Sequence, residues 1–344
     1  MQSTSYVPEP DEPKNLNDAL KSPDAALWKL AADDEYNSLM DNKTWTLTTL
    51  PPDREAIQSR WVLTVKPGVR GATPRYKARL VAKGYSQRPG IDYDETFAPV
   101  AKQTTLRTVL SFVAALNLEM CQLDIKTAFL YGELNEEIYL EQPEGYISVE
   151  SKNLVCRLHK CLYGLKQASR VWNQHFDNFL KLFGLTPSES DPCLYLRISG
   201  NEFTAVIIWV DDGLVCSNSS DVITKIISHL KEHFEMRSSE ANHFVGLSIT
   251  RNREENTLYI SQPDYIKKIL RRFHMDQCNP VDLPATPGDS SLEMTRMKDR
   301  FKFPSVKLWD HYCTSCSHQG RTYLSQSIKY PNSVKNPRTV IGRP

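Results

Sequence analysis

The sequence predicts an α+β fold centred on a split βαβ antiparallel sheet, and three observations predict it. Residues Ala205 to Val210 form an apolar run of β-formers that leads directly into Asp211-Asp212. Cys121 to Ile125 is a second strand-like run, and it carries Asp124. Amphipathic helical patterns separate and follow these runs, giving the middle of the chain the order β, α, β-hairpin, α, β.

Residues 1–21 are polar and Pro-rich and read as a disordered lead-in. Ser22-Pro23-Asp24 resembles an N-cap with Pro at the first helical position. The helix it opens runs from Pro23 to Met40, with Leu27, Leu30, Tyr36 and Leu39 on its apolar face. Trp45 to Leu50, Arg60 to Lys66 and Arg75 to Ser86 read as strands of one antiparallel sheet, with Pro67-Gly68 and Gly71 to Pro74 turning between the last two. Thr105 to Leu116 is helical. Ala168 to Phe183 is an amphipathic helix closed by Gly184. Leu194 to Ile198 and Phe203 to Val210 make a hairpin around Gly200-Asn201. Asp221 to Phe234 is a helix, Phe244 to Thr250 and Thr257 to Ile260 a second hairpin, and Pro263 to Phe273 a basic helix.

The chain has 344 residues, enough for two or three domains and a sizeable core. Its net charge is +1, so no overall basic character announces a nucleic-acid partner. The charge is uneven, however. Arg60, Lys66, Arg70, Arg75, Lys77, Arg79, Lys83 and Arg88 lie in a stretch without Asp or Glu, interleaved with Trp61, Tyr76 and Tyr85. Phosphate binding and base stacking need that combination, but on this feature alone a solvated hairpin whose charges do nothing specific is the favoured reading. No signal peptide and no apolar run near the length of a membrane span is present. The 8 Cys sit mostly in apolar contexts (Cys121, Cys156, Cys161, Cys193, Cys216) and read as buried, reduced thiols of an intracellular protein.

Two adjacent carboxylates at the end of a buried strand are costly unless positive charge lies beside them. A divalent cation supplies it. In the split βαβ arrangement Asp124 becomes a neighbour of Asp211 and Asp212, and three carboxylates converge. Such a trio suits a site holding two cations roughly 3.5–4 Å apart for in-line phosphoryl displacement. Mg²⁺ favours carboxylate oxygens, water and phosphates. Any one of these Asp taken alone is an ordinary turn or cap residue.

Five blocks of sequence carry a family resemblance. They are Arg75 to Tyr85 (RYKARLVAKGY), Asp92 to Val100 (DYDETFAPV), Gln122 to Gly132 (QLDIKTAFLYG), Leu162 to Ala168 (LYGLKQA) and Trp209 to Asp212 (WVDD). Together, over roughly residues 20–300, they resemble the reverse transcriptase of copia-type LTR retrotransposons. That resemblance implies a right-hand polymerase: fingers and the start of a palm over 22–120, a palm over 121–250 with a fingers insertion within 130–170, and a partial thumb or connection over 251–300. It implies catalytic metal ligands at Asp124, Asp211 and Asp212, with the backbone carbonyl of Ile125 contributing. The ions implied are two Mg²⁺, with Mn²⁺ as a substitute. Phe129 falls where such enzymes keep an aromatic ring under the sugar, and it is equally an ordinary core Phe. Lys77, Arg79 and Lys83 are implied to hold the incoming triphosphate, and Tyr163, Gly164 and Lys166 to pack against the nascent base pair and template. Phe244 to Leu247 resembles the turn that grips the primer end; a buried hairpin explains it equally well. The partners implied are an RNA or DNA template-primer, deoxynucleoside triphosphates and the integrase and ribonuclease H parts of a Pol polyprotein, in a cytoplasmic virus-like particle with a nuclear phase.

Two positions depart from the family pattern: Trp209 stands where Tyr is usual, and Ser169 where Pro is usual, Ser being able to cap the following helix. After Pro304 the resemblance ends and residues 301–344 form an aberrant tail. His311, Cys313, Cys316 and His318 have spacing compatible with zinc. A frameshift explains the tail better. Codons for Ser305 to Pro331, read one base out of register, permit a segment resembling the stretch that leads to the ribonuclease H domain in that family. The reading favoured is a two-metal RNA-directed DNA polymerase. The alternatives are a remnant of an element that at most binds nucleic acid and, less favoured by the motif order, a metal-dependent nuclease.

Overall fold

The computed structural model describes residues 12–66, 73–147 and 150–278, and the backbone of a strand at 325–328. Most of the turn expected after Lys66 lies outside these residues, as does the cluster of His311, Cys313, Cys316 and His318.

Within the expected lead-in, helix α1 (Leu16–Ala19) is capped by Asn15, whose side chain accepts from the Asp18 N–H, and Leu16 and Ala19 are buried. Helix α2 (Ala25–Asp41) begins later than expected. Asp24 occupies its N-cap, while the Ser22 hydroxyl donates to the Ala19 carbonyl and finishes α1 instead. The apolar face of α2 is also corrected. Trp28, Ala31, Ala32 and Leu39 are buried, whereas Leu30 is 61% exposed and Leu27 45%. Two alanines between Trp28 and Leu39 complete the stripe, and alanine carries too little apolar signal to mark it.

Strands β1 (Trp45–Thr48), β2 (Ala56–Ile57), β3 (Ser59–Lys66) and β4 (Arg75–Ala82) come next. β3 and β4 pair in antiparallel register with Trp61 opposite Leu80. Their alternation buries Trp61, Leu63, Ala78, Leu80 and Ala82, and leaves Lys77, Arg79 and Val81 on the opposite parity of β4. β1 does not join this hairpin. It belongs to a separate four-stranded sheet, β1-β7-β6-β2, completed by β6 (Tyr139–Leu140) and β7 (Val155–Leu158).

Helix α3 (Gln103–Ala115) leads to β5 (Glu119–Ile125). After β6 and β7 come α4 (Ala168–Leu182), β8 (Thr186–Pro187), β9 (Leu194–Ser199), β10 (Glu202–Trp209), β11 (Asp212–Ser217), α5 (Ser220–His233) and β12 (Met236–Ser239). Gly184 has φ +79, which suits it to close α4. The N-cap of α4 is Gln167, which makes no side-chain cap bond, and Ser169 lies inside the helix, so the expected Ser cap is corrected. Six strands make the central sheet in the order β12-β5-β11-β10-β9-β8. Taken in sequence, β5, α4, β10, β11, α5 and β12 run β-α-β-β-α-β, with β5 between the last two strands.

This sheet is buried on both faces, which is why β10 reads as continuous apolar sequence rather than alternation. One core packs Leu123, Ile125, Val206, Ile208 and Val215 against Trp172, Phe176 and Leu180 of α4 and Val222, Ile226 and Leu230 of α5. The other packs Ala205, Ile207, Leu214 and Cys216 against Leu106, Val109, Leu110 and Val113 of α3. Strands β13 (His243–Phe244), β14 (Leu247–Asn252) and β15 (Thr257–Ser261) close this second core. Helix α6 (Pro263–Arg272) comes after them, and β15 also pairs with β16 (Ser325–Ile328). Cys156, Cys161, Cys193 and Cys216 are buried, and burial pushes each thiol up to about 12. These four are inert as nucleophiles.

Candidate active site

The sheet order brings the three carboxylates together. β5 and β11 are antiparallel neighbours, and Asp212 is the register partner of Asp124. The apolar run ends at Trp209, which pairs with Asp212 across a two-residue turn made by Val210 and Asp211. The expected strand ending in Asp-Asp is therefore corrected: Asp211 sits in the turn and Asp212 opens β11. The Ile125 N–H donates to the Asp211 carbonyl at 3.1 Å and ties the turn to β5.

Val210 has φ +58 in that turn, a strained conformation for a β-branched residue. Positive φ at the first central position alone is the pattern of a II′ turn, which matches strand twist in a tight hairpin. The buried Trp172 indole donates to the Val210 carbonyl at 2.7 Å and holds it there.

Burial pushes the Asp212 carboxyl up to about 6; the charges of Asp211 and Asp124 add to this and Lys66 opposes it. The trio thus holds more negative charge than its surroundings compensate, the condition a divalent cation relieves. Asp124 and Asp212 line an open cleft of about 650 Å³ with Lys66, Gln122, Lys231 and Arg237. The donor atoms of the three Asp do not all come within 4.8 Å of one another; among the described residues only His229, Glu232 and His233 do. A site for two cations does not require a single tight cage.

The β3–β4 hairpin reaches Tyr163, whose phenol feels the Asp211 and Asp124 charges. The Arg79 guanidinium lies over the Tyr163 ring at 5.0 Å. Tyr163 meets Phe129 edge-on at 4.7 Å. Burial pushes the Tyr163 phenol up to about 12, and the Asp211 charge adds to it. Phe129 is 8% exposed, on a short turn of 3₁₀ helix (Ala128–Tyr131) just beyond β5. Lys77, on the same parity as Arg79, has its ammonium pKa lowered by burial and by the Arg79 charge. Lys83 donates to the Gln58 side chain at 2.8 Å. Lys166 donates to the Tyr93 hydroxyl at 3.2 Å and lies over that ring at 4.9 Å.

Two of the five sequence blocks, Asp92 to Val100 and Leu162 to Ala168, meet through Gln87 in one buried polar network. The Gln87 side chain donates to Gln167 at 3.0 Å, and Gln167 donates to the Asp92 carbonyl at 2.9 Å. The Lys166 N–H donates to Gln87 at 2.8 Å. Gly164, with φ +94, passes directly against β4, and the Ala82 N–H donates to the Tyr163 carbonyl at 2.7 Å.

Sequence reasoning missed Glu35 of α2, a largely buried carboxylate that accepts from the Leu80 N–H at 3.3 Å; burial raises its pKa, with Arg79 and Lys77 opposing. It also missed Lys231 and Arg237 on the cleft. Nothing local marks them: the pairing of β12 with β5 sets Arg237 opposite Asp124, and Lys231 reaches the cleft from the last turn of α5. The turn between β13 and β14 has positive φ at both Val245 and Gly246, as a I′ turn requires, and Phe244 before it is buried.

Residues 42–287 match the family described as reverse transcriptase (RNA-dependent DNA polymerase). The chain belongs to that family. Over 286 residues it is 43% identical to the retrovirus-related Pol polyprotein from transposon TNT 1-94 of Nicotiana tabacum, covering 82% of this chain and 22% of that protein. Over 298 residues it is 39% identical to the retrovirus-related Pol polyprotein from transposon RE1 of Arabidopsis thaliana, covering 86% of this chain and 20% of that one. The chain therefore spans about a fifth of the length of these relatives. Among solved structures, apo telomerase from Candida tropicalis, truncated from its C-terminal domain, overlaps with a TM-score of 0.32 at 10% identity, over 66% of this chain and 59% of that one.

Proposed function

We propose that this chain is the RNA-directed DNA polymerase part of a copia-type retrotransposon Pol polyprotein. The observation that carries the reading is the register of Asp124 against Asp212, with Asp211 in the turn between β10 and β11. The central sheet with α4 and α5 is the palm. The β3–β4 hairpin, α2 and the sheet containing β1 are the fingers. The segment from about residue 251 begins the thumb.

Asp124, Asp211 and Asp212 hold divalent cations of the Mg²⁺ class, aided by the Ile125 carbonyl; the donor chemistry and the raised Asp212 pKa fit that assignment. When bound, such ions supply charge neutralisation at the phosphates and activation of the primer hydroxyl. The reaction is attack of a primer 3′-OH on the α-phosphate of a deoxynucleoside triphosphate, with pyrophosphate leaving. Lys77 and Arg79 counter the triphosphate charge from the fingers side, with Lys83 next along the chain. Lys66, Lys231 and Arg237 line the cleft beside Asp124 and Asp212 and offer cationic contacts to a nucleic-acid backbone. Phe129 sets the floor of the sugar pocket, and Tyr163 positions it through their edge-on contact. Gly164 and Lys166 support the base-pair side of the pocket. The partners are a template-primer and deoxynucleoside triphosphates, and the setting is an element-encoded particle with integrase and ribonuclease H from the same polyprotein.

Primer extension on poly-rA/oligo-dT with Mg²⁺ or Mn²⁺ tests this, with Asp211→Asn as the control. Synthesis by the parent and none by the variant is the expected result. Salt-sensitive template binding by a folded parent without any synthesis means a binding remnant rather than a polymerase.

A further inference from the structure

Helix α5 carries His229, Glu232 and His233 at i, i+3 and i+4, so the three side chains leave the same face of its final turns. One ligand atom from each lies within 4.8 Å of the other two. The imidazole rings are 5.1 Å apart, and His229 Nδ1 is 3.6 Å from Glu232 Oε2.

The rings are held in place. His229 stacks on Phe179 of α4 at 4.8 Å and is flanked by Phe183 at 5.4 Å. Phe179 also meets His233 edge-on at 4.9 Å. His233 Nδ1 lies 3.1 Å from the His229 carbonyl oxygen. A carbonyl only accepts, so Nδ1 carries the proton and Nε2 presents its lone pair outward. Metal-ligating histidines are commonly oriented in this way, by a backbone carbonyl on the other ring nitrogen. None of the three residues lines the cleft at Asp124 and Asp212.

We propose that His229, Glu232 and His233 form a second cation site, separate from the aspartate trio. Two imidazoles and one carboxylate select a borderline-soft ion of the Zn²⁺ class over Mg²⁺, with water completing the coordination. Zinc ligands at ~2.0–2.2 Å lie roughly 3.5 Å apart around the ion. Glu232 is exposed and closes on the two held rings by side-chain rotation. The ion then clips the end of α5 directly before Phe234 and β12, the strand whose Arg237 pairs with Asp124.

The test uses the full chain stripped of metal with chelator, and zinc as the probe. Calorimetric titration is run on the parent, His233→Asn and Glu232→Gln. Any zinc bound by other groups, such as the free thiols of Cys278 and Cys121 or the His311, Cys313, Cys316 and His318 set, is common to all three proteins, so the difference between them is what counts. One zinc equivalent is lost in His233→Asn, affinity at that equivalent falls about tenfold in Glu232→Gln, and excess Mg²⁺ does not displace it. Should His233→Asn fail to fold, diethyl pyrocarbonate footprinting of the parent gives the answer: zinc protects His229 and His233 but not exposed His243 and His274. Unchanged zinc stoichiometry and affinity in both variants, or no selective protection in the parent, overturns the proposal.

Discussion

Gly84 and Gly164 meet backbone to backbone. A Cβ on Gly84 would lie 2.0 Å from the Gly164 carbonyl oxygen, and one on Gly164 would lie 2.1 Å from the Ala82 carbonyl oxygen. Neither obstacle is a flexible side chain, so neither can yield cheaply. The contact seats the end of β4 on the turn that carries Tyr163, and so sets where Arg79 lies relative to Asp211. Gly164→Ala also places a side chain at φ +94. Its expected cost is about 2–4 kcal/mol in urea unfolding. Gly90→Ala is the control: φ there is +74 with nothing within 4 Å, so only the left-handed backbone penalty of about 1–2 kcal/mol remains. Equal losses for the two variants would mean that the backbone contact contributes nothing.

The Phe129–Tyr163–Arg79 stack predicts a change in sugar selectivity. Phe129→Val removes the ring expected beneath the sugar while keeping an apolar side chain of smaller volume. Ribonucleotide incorporation in primer extension should rise roughly 10–100-fold relative to deoxynucleotide incorporation. Tyr163→Leu, which leaves Phe129 without its edge-on neighbour, should shift selectivity in the same direction by a smaller factor. If Phe129→Val discriminates as the parent does, Phe129 is only a core residue.

Asp212 gives stability and activity opposite signs. Its carboxyl titrates near 6 in the folded metal-free chain, against an ordinary value of 3.8. Between those values the folded state binds more protons than the unfolded state, so the contribution of this group is full below 3.8 and declines as pH rises through 6. Asp212→Asn should therefore raise the Tm of the metal-free chain at pH 7.5 by on the order of 2–4 °C, allowing about 1 kcal/mol after solvent screening of a half-exposed group. The same variant should abolish synthesis. Mg²⁺ should raise the parent Tm more at pH 7.5 than at pH 5, because the ion competes with the proton for the same oxygens. A Tm that falls in Asp212→Asn would contradict the repulsion inferred for the trio.

How much of this was legible in the sequence depends on the range of the forces involved. The run from Ala205 to Trp209 was legible because a strand buried on both faces needs apolar residues at every position. The left-handed Val210 between that run and the aspartates was not, since β-branched residues rarely turn a chain. Asp124 could be joined to Asp212 through the expected topology, but the register between them appears only in the paired sheet. β11 went unread, as Gly213 to Ser217 carries too little pattern after a run already assigned. The two-residue strands β2 and β6 are too short for any periodicity, and the sheet they make took β1 away from the hairpin expected to hold it. The Gln87–Gln167–Asp92 network explains why separate blocks belong together, yet its partners lie 75 and 80 positions apart and carry no local signal.

The Trp172 indole gives the last prediction. It is buried, and its N–H is the donor to the Val210 carbonyl in the strained turn beside Asp211. Trp172→Phe keeps an aromatic ring among Phe176, Phe234 and Tyr131 but removes that donor. A carbonyl left without its partner in this position costs about 1–3 kcal/mol, and the turn relaxes. The carboxylate carried on the turn then leaves its aligned position, and small misplacements of reacting groups cost large factors in rate. Trp172→Phe should lower kcat for nucleotide addition by about tenfold while the KM for the triphosphate stays near the parent value. Phe176→Leu supplies the comparison, since it loosens the same core without touching the hydrogen bond. It should lower the Tm by a similar amount and leave kcat nearly unchanged at a temperature where both variants are folded. If the two variants lose activity in parallel with stability, the indole is a packing residue and does not position Asp211.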